Sequence, residues 1–511
     1  MRTVIRVLTI AVALQTAAIA AAGTIDLTSE PVHKLVGLNP GDALGWSLAV
    51  GDVDGDGAPE LAAGAPGASG LAGAVYLLGI DELAARSGSW GDAAISIEHA
   101  VPMSRFGSTI LFMDFDCDGD DELVVGAPEG APATEIRTGQ VFVFDFPTAT
   151  SELDSDDAMT VITGDASGDE FGSWLASCDV DDDGRVELLV SAPGADHEGR
   201  PNTGVVCAIA PQLALSAESH RAASVTIGSA AGAGPGDGIR AVCPLDINGD
   251  GEMELAVGAH QFDAPAGGTG KQIEDSGAVY LLPASALAAS GSRRSIDEVA
   301  IAKVVGVDER GMLGHAIASG DIDGDGADDM IISSHTAGRN GDRHSATGSA
   351  HVIFGTPGIE VPELPLSVSA ETEMPRGRDG LVTLLGRSMW DIFGLAPLIA
   401  DLNGDGFADL TVAAQFVNGF DGERQRSGEV YLYRGSLRSV VAAKGGSAER
   451  ADAVLVGATG DAIAGAAVAI DVTGDGRPEL VLGAPDASGL DEERTRRGRI
   501  YITPAELLRA R

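Results

Sequence analysis

Apolar residues in this chain cluster in short runs between glycines, prolines and aspartates. "ELAAGAP" (Glu60–Pro66), "ELVVGAP" (Glu122–Pro128) and "AVYLL" (Ala74–Leu78, again at Ala278–Leu282) are of this kind. Short apolar runs bounded by turn residues predict strands. Further runs of the same character are "AISIE", "MTVIT", "SVTIG", "AKVVG", "LVTLL" and "AVLVG". Each lies shortly before an apolar-Gly pair or its equivalent.

The polar positions between these runs repeat as strictly. A loop with acids at alternate positions occurs seven times, its first residues 62, 65, 67, 75, 80 and 70 apart. At positions one, three, five and nine the first three loops carry Asp52, Asp54, Asp56, Glu60; Asp114, Asp116, Asp118, Glu122; and Asp179, Asp181, Asp183, Glu187. The next two carry Asp246, Asn248, Asp250, Glu254 and Asp321, Asp323, Asp325, Asp329. The last two carry Asp401, Asn403, Asp405, Asp409 and Asp471, Thr473, Asp475, Glu479.

Each loop sits in a fixed frame. Eight residues earlier stands an apolar-Gly pair: Leu44-Gly45, Phe106-Gly107, Phe171-Gly172, Leu313-Gly314 and Phe393-Gly394, with Gly238-Ile239 and Ile463-Ala464 departing. Twelve residues after the first Asp comes GAP at Gly64, Gly126 and Gly483, SAP at Ser191, and looser versions at Gly258, Ser333 and Ala413. The unit therefore reads as strand, polar loop, strand, turn, strand, connection, strand. One such sheet cannot bury both faces alone, so the copies must stack. Four-stranded units of this period around a channel make a β-propeller. The seventh copy stops after its third strand, near Thr503, while "VHKLVG" (Val32–Gly37) is a spare strand ahead of the first pair. The two ends are expected to complete one blade and close the ring. The fold class is all-β, a seven-bladed propeller over residues 31–504, with 505–511 as a C-terminal tail.

Charge adds a constraint. Lys and Arg number 33 against 76 acids, a net charge of −43, which excludes a basic footprint for nucleic acid. Of the 76 acids, 25 lie at the loop positions named above, so the excess is clustered instead of spread over a tail. Residues 1–22 read as a secretory signal, with Arg2 and Arg6, an apolar run from Val7, and Ala18, Ala20 and Ala22. That run is short for a membrane span, and no second candidate follows. The expected location is secreted, periplasmic or cell-surface. Cys117, Cys178, Cys207 and Cys243 permit disulfides in such a protein but show no metal-type spacing.

Alternate carboxylates on a glycine-rich loop suit a hard cation. Calcium takes six to eight oxygens in flexible geometry, and magnesium demands a stricter octahedron with several waters. An EF-hand would place a bidentate Glu at position twelve, but Ala63, Val125, Val190, Val257, Ile332, Val412 and Leu482 stand there. The loops are thus expected to be calcium-binding β-hairpin turns, up to seven in number, with structural ions.

Phe-Gly, a DxDxDG loop and Gly-Ala-Pro in this order resemble the FG-GAP repeat of the integrin alpha-subunit N-terminal propeller. The likeness runs from about Val32 to Thr503. It implies an exported, stand-alone, integrin-like propeller of a bacterial type, lacking a stalk, membrane span or inserted domain. FG-GAP units also accompany the catalytic domain of a glycosylphosphatidylinositol-specific phospholipase D. The resemblance implies an adhesion or protein/glycan-binding module whose ligand meets the face opposite the calcium loops. Candidate rim loops there are Asp196–Arg200, Gln261–Asp275, Arg339–His344, Asn418–Arg426 and Asp491–Arg497. Charge reversal at Arg339, Arg343, Arg424 and Arg426 is expected to weaken binding without lowering stability. No Gly-x-Ser-x-Gly, His-Glu-x-x-His or phosphate loop is found, so the chain is read as non-enzymatic. The alternatives are a polysaccharide- or phospholipid-directed hydrolase or lyase, or a lectin, on the same propeller. His260 and His335 occupy the Pro slot of GAP, where a structural role suffices.

Overall fold

Position nine of every polar loop opens a strand. The second strands are Glu60–Ala65, Glu122–Ala127, Glu187–Ala192, Glu254–Ala259, Asp329–Ser334, Asp409–Ala414 and Glu479–Ala484. Nearly every residue in them is buried on both faces, which is why they read as unbroken apolar runs instead of alternating ones. The residue preceding each loop pairs with its position nine: Gly51 with Glu60, Met113 with Glu122, Cys178 with Glu187. Leu245 with Glu254, Gly320 with Asp329, Ala400 with Asp409 and Ile470 with Glu479 continue the series. The same hairpin is thus built seven times in one register.

The computed structural model describes residues 23–29, 32–79, 83, 88–89, 95–131, 137–146, 152–197, 199–211, 225–228, 238–266, 271–288, 292–338, 346–358, 367–368, 381–418, 424–435, 451–463, 465–487 and 496–508. Seven antiparallel four-stranded blades stand in chain order, each with its first strand innermost. The first strands touch one another in sequence, and that of blade 7, Ala467–Ile470, returns to that of blade 1, Leu48–Gly51, so the ring is closed. Between each pair of neighbouring blades lies a separate apolar core; Phe106, Val75, Leu123 and Phe142, for example, join blades 1 and 2.

The two glycines of the repeat explain themselves at these interfaces. A side chain on Gly64, the GAP glycine of blade 1, would place its Cβ 2.1 Å from the carbonyl oxygen of Gly107 in blade 2. Gly107 itself has φ +84°, and its N–H donates to the Gly126 carbonyl at 3.1 Å. Across the closure, Gly483 meets Gly45 in the same way, at 2.0 Å. The motif is a backbone-to-backbone contact between blades that admits no side chain.

Closure follows the expected route. His33–Val36 is the outer strand of blade 7, antiparallel to Arg499–Thr503, with Leu35 opposite Ile500. A second feature was not expected. Gly23–Asp26, ahead of the residue 31 at which the propeller was set to begin, is also a strand and pairs in parallel with Ala453–Val456, the outer strand of blade 6. Four other outer strands receive the same treatment. Gly88–Ser89 from blade 1 pairs with the outer strand of blade 7, and Glu152–Asp154 from blade 2 with that of blade 1. Ser292–Ser295 from blade 4 pairs with blade 3, and Ser367–Val368 from blade 5 with blade 4. In each case the connection ahead of a blade's outer strand reaches back and straps the preceding blade. Residues 505–511, taken as a tail, begin as a helical turn, Ala505–Leu508, with Leu508 fully buried and its carbonyl receiving Arg434 Nε at 2.9 Å. The four cysteines are free thiols. No described helix is long and apolar enough to cross a membrane.

Candidate metal centres

Each polar loop is held by its own carboxylates in a repeated pattern. The position-nine carboxylate accepts the N–H of position two: Val53 to Glu60 at 3.1 Å, Val180 to Glu187 at 3.0 Å, Ile322 to Asp329 at 2.8 Å, Val472 to Glu479 at 2.8 Å. The position-one carboxylate turns back on positions five and six, as Asp179 does on Asp183 N–H at 3.2 Å and Gly184 N–H at 2.9 Å. Asp246, Asp321, Asp401 and Asp471 make the same pair of bonds. Glycine at position six makes the turn possible, with φ of +85° at Gly57 and +93° at Gly326.

The result is convergence. Carboxylate oxygens of Asp52, Asp54 and Glu60 lie within 4.8 Å of one another, as do those of Asp114, Asp116 and Glu122, of Asp179, Asp181 and Glu187, and of Asp321, Asp323 and Asp325. Among the described residues, Asp52 Oδ1 and Asp116 Oδ1 are buried with no hydrogen-bond partner. An all-oxygen donor set with unsatisfied buried carboxylate oxygens fits a hard cation. The remaining loops fit less fully. Loop 4 holds Asn248 in position three, its Oδ1 accepting Asp250 N–H at 2.9 Å. In loop 6 the Asn403 amide donates to Asp409 at 3.1 Å, so a rotation of that amide would be needed to present its oxygen. In loop 7 Thr473 Oγ1 is exposed and 3.5 Å from Asp471.

Burial sets the acidity of the position-nine groups. Glu60, Glu122 and Glu254 are raised from 4.5 to about 7, and Asp329 from 3.8 to about 7, first by desolvation and then by the other loop acids. Asp409 is raised to about 6 for the same reasons, and Glu187 and Glu479 move in the same direction. In the cation-free fold these groups keep protons that the unfolded chain has released. Their stabilising contribution is complete below the unfolded values and is lost as pH rises to about 7. A bound cation reverses the sign, because it requires the ionised form. Buried histidines pull the other way, but equally with and without metal. The difference in melting temperature between calcium-loaded and chelated protein should therefore grow from pH 5.5 to pH 7.5. Thermal melts at matched ionic strength read this directly, and a difference that shrinks over that range would contradict it.

Sequence reading missed that the loops are coupled between blades. Asp121, at position eight of loop 2, accepts Asp52 N–H at 3.1 Å and donates its own N–H to Asp52 O at 2.8 Å. Asp328 in loop 5 does the same to Asp246 in loop 4, at 2.9 and 2.7 Å. An acid at position eight marks just these two loops, which was the available signal.

At the opposite end, several rim arginines are tied down. Arg424 Nη1 donates to Asp26 Oδ1 at 2.8 Å, and a second nitrogen reaches Asp26 Oδ2 at 2.5 Å, fastening the first strand to blade 6. This pairing holds the Asp26 carboxyl well below its usual range. Reversing Arg424 would therefore cost stability, against the expectation from sequence. Arg426 lies over the Phe416 ring at 4.4 Å. Arg339 and Arg343 fall outside the described residues.

The family model of the FG-GAP repeat matches residues 44–78, 171–206, 239–282, 393–433 and 462–503. Phosphatidylinositol-glycan-specific phospholipase D of Bos taurus is 31% identical over 176 residues, 33% of this chain and 21% of that protein. Integrin alpha-IIb of Homo sapiens is 34% identical over 185 residues, 34% of this chain and 17% of that protein. Integrin alpha-PS2 of Drosophila melanogaster is 28% identical over 236 residues, 44% of this chain and 16% of that protein. The matched region spans between 16% and 21% of these relatives' length.

Proposed function

We propose that this chain, which carries FG-GAP repeats and resembles the integrin alpha propeller, is an exported, calcium-stapled binding module. Its proposed ligand is a protein or glycan met on the face away from the acidic loops. The observation that carries the reading is the sevenfold hairpin register, which gathers all the loops at one end of the ring. Calcium there would be held by the carboxylates at positions one, three, five and nine and would neutralise charges that otherwise repel across a tight turn. Ions so placed hold the blades, and the other end is left for recognition.

A second reading, hydrolysis of a phospholipid, is favoured by the likeness to phospholipase D. The two are separated by one pair of experiments. Calcium-loaded protein should bind a defined subset of a glycan or extracellular-protein array, and chelation should abolish that binding together with the fold. Release of a glycosylphosphatidylinositol-anchored reporter from vesicles would overturn the binding-module reading in favour of the enzyme.

A further inference from the structure

The residues that follow the apolar-Gly pair in all seven blades surround one cavity of about 590 Å³ at the mouth of the central channel. The first strands run from this mouth toward the acidic loops, so the cavity opens at the far end. Among the described residues, the wall contains one formal charge, Arg240, and no carboxylate. Glu170, whose charge reaches Arg240, is already paired with Arg137 at 3.5 Å.

Around Arg240 the wall carries N–H donors with no acceptor among the described residues. Arg240 Nη1 lies 3.0 Å from His315 Nε2. A guanidinium only donates, so His315 Nε2 must accept, and the neutral ring then carries its proton on Nδ1. Among the described residues, that Nδ1 and Arg240 Nε are both buried without a partner. The His335 ring lies tilted by 54° against that of His315 with centroids 4.2 Å apart, and its Nδ1 is likewise buried without a partner among the described residues. Burial and the Arg240 charge keep these imidazoles neutral, His335 at about 4 and His315 well below its ordinary value. A part-buried cation beside unpaired N–H donors is matched best by an anionic acceptor, which answers both the charge and the open hydrogen bonds.

The rest of the wall has a different character. Ser47 Oγ donates to Gly107 O at 2.7 Å, and Thr109 Oγ1 to Gly172 O at 2.8 Å. With their protons engaged on backbone carbonyls, these hydroxyls can only accept from a ligand. Trp46, 40% exposed, and Trp174, whose Nε1–H donates to Val242 O at 3.0 Å, line the same cavity. Carboxylate, hydroxyl donors and flat C–H faces on one small molecule describe an acidic sugar.

We propose that the channel mouth binds a carboxylated saccharide, with Arg240 and His315 receiving the carboxylate and Trp46 and Trp174 packing on sugar rings. This rests on the binding-module reading in taking that end as the ligand face, and names the ligand's chemistry. The test uses the full calcium-loaded chain and tryptophan fluorescence or calorimetry, with trigalacturonate as the probe. Trigalacturonate should bind at least tenfold more tightly than its methyl ester. Arg240→Gln should lower affinity at least tenfold, and His315→Gln by a smaller factor, at unchanged calcium content. If Arg240→Gln fails to fold, the ester comparison on the unaltered protein still decides. Equal binding of acid and ester, binding of sulfate or an acidic peptide without the saccharide, or a folded Arg240→Gln that binds normally would each overturn the proposal. Binding to array ligands that survives in Arg240→Gln would sink this inference while leaving the binding-module reading standing.

Discussion

Chelation should lower the melting temperature of this protein steeply, and millimolar calcium should restore it where magnesium restores it poorly. Four of the loops hold three carboxylates within 4.8 Å, and two buried carboxylate oxygens there lack any partner among the described residues. At ten times its dissociation constant one ion adds about 1.4 kcal/mol. Several together rival the ~5–15 kcal/mol that holds a typical domain folded. Magnesium prefers to keep its waters and a strict octahedron, which this wide set of oxygens does not supply. Asp323→Ala should cost more stability in calcium than in chelator, since only the loaded form loses a ligand. Thr473→Ala should matter less, because that side chain is exposed and reaches Asp471 only at 3.5 Å. The inter-blade bonds add a sharper expectation: Asp121→Ala should weaken loop 1, whose Asp52 it pins, although Asp121 was not assigned as a ligand. A melting temperature indifferent to chelator, in protein shown by elemental analysis to be metal-free, would leave these loops as acidic turns.

The acidic hairpins were legible because everything that specifies them lies within nine residues. The blade count and the ring closure were legible because the repeat is covalently periodic and its deficit at one end matches the spare strand at the other. The straps were not legible. Gly88–Ser89 and Ser292–Ser295 are short and polar, and their partners, Leu35–Val36 and Val225–Gly228, lie in other repeats. Nothing local distinguishes such a segment from a plain connection. The channel mouth was hidden for a related reason. His335 was read in its own repeat as a substitute for proline, whereas its meaning depends on Arg240 one blade away and His315 beside it. Arg424 shows the converse error: a charged residue in a long turn looked free for a ligand, and the chain's own first strand holds it.

A chain beginning at Leu38 should fail to form a stable ring. Such a truncation removes the outer strand of blade 7 and the strap on blade 6 together. Leu27, Val32, Leu35 and Val36 are all buried, between 0% and 6% exposed. Burying side chains of this size contributes roughly 1.5–3 kcal/mol each, so their loss alone is on the order of a whole domain's stability. Arg499–Thr503 would also become an open edge, a template for pairing with another chain. The truncated protein is therefore expected to aggregate or to melt far below the full chain. A peptide of residues 23–37 added in trans should raise its melting temperature, since the register with Arg499–Thr503 is set by the hydrophobic pattern of Leu35 against Ile500. Smaller changes should grade in order. Leu35→Ala should cost ~2–5 kcal/mol as a core truncation, and Asp26→Asn about 1 kcal/mol or less, because the pair with Arg424 is partly open to solvent. Thermal unfolding with light scattering measures all three. A truncated chain that melts with the full one would mean that the ring closes without its N-terminal strands, and that the deficit in the seventh repeat is no deficit at all.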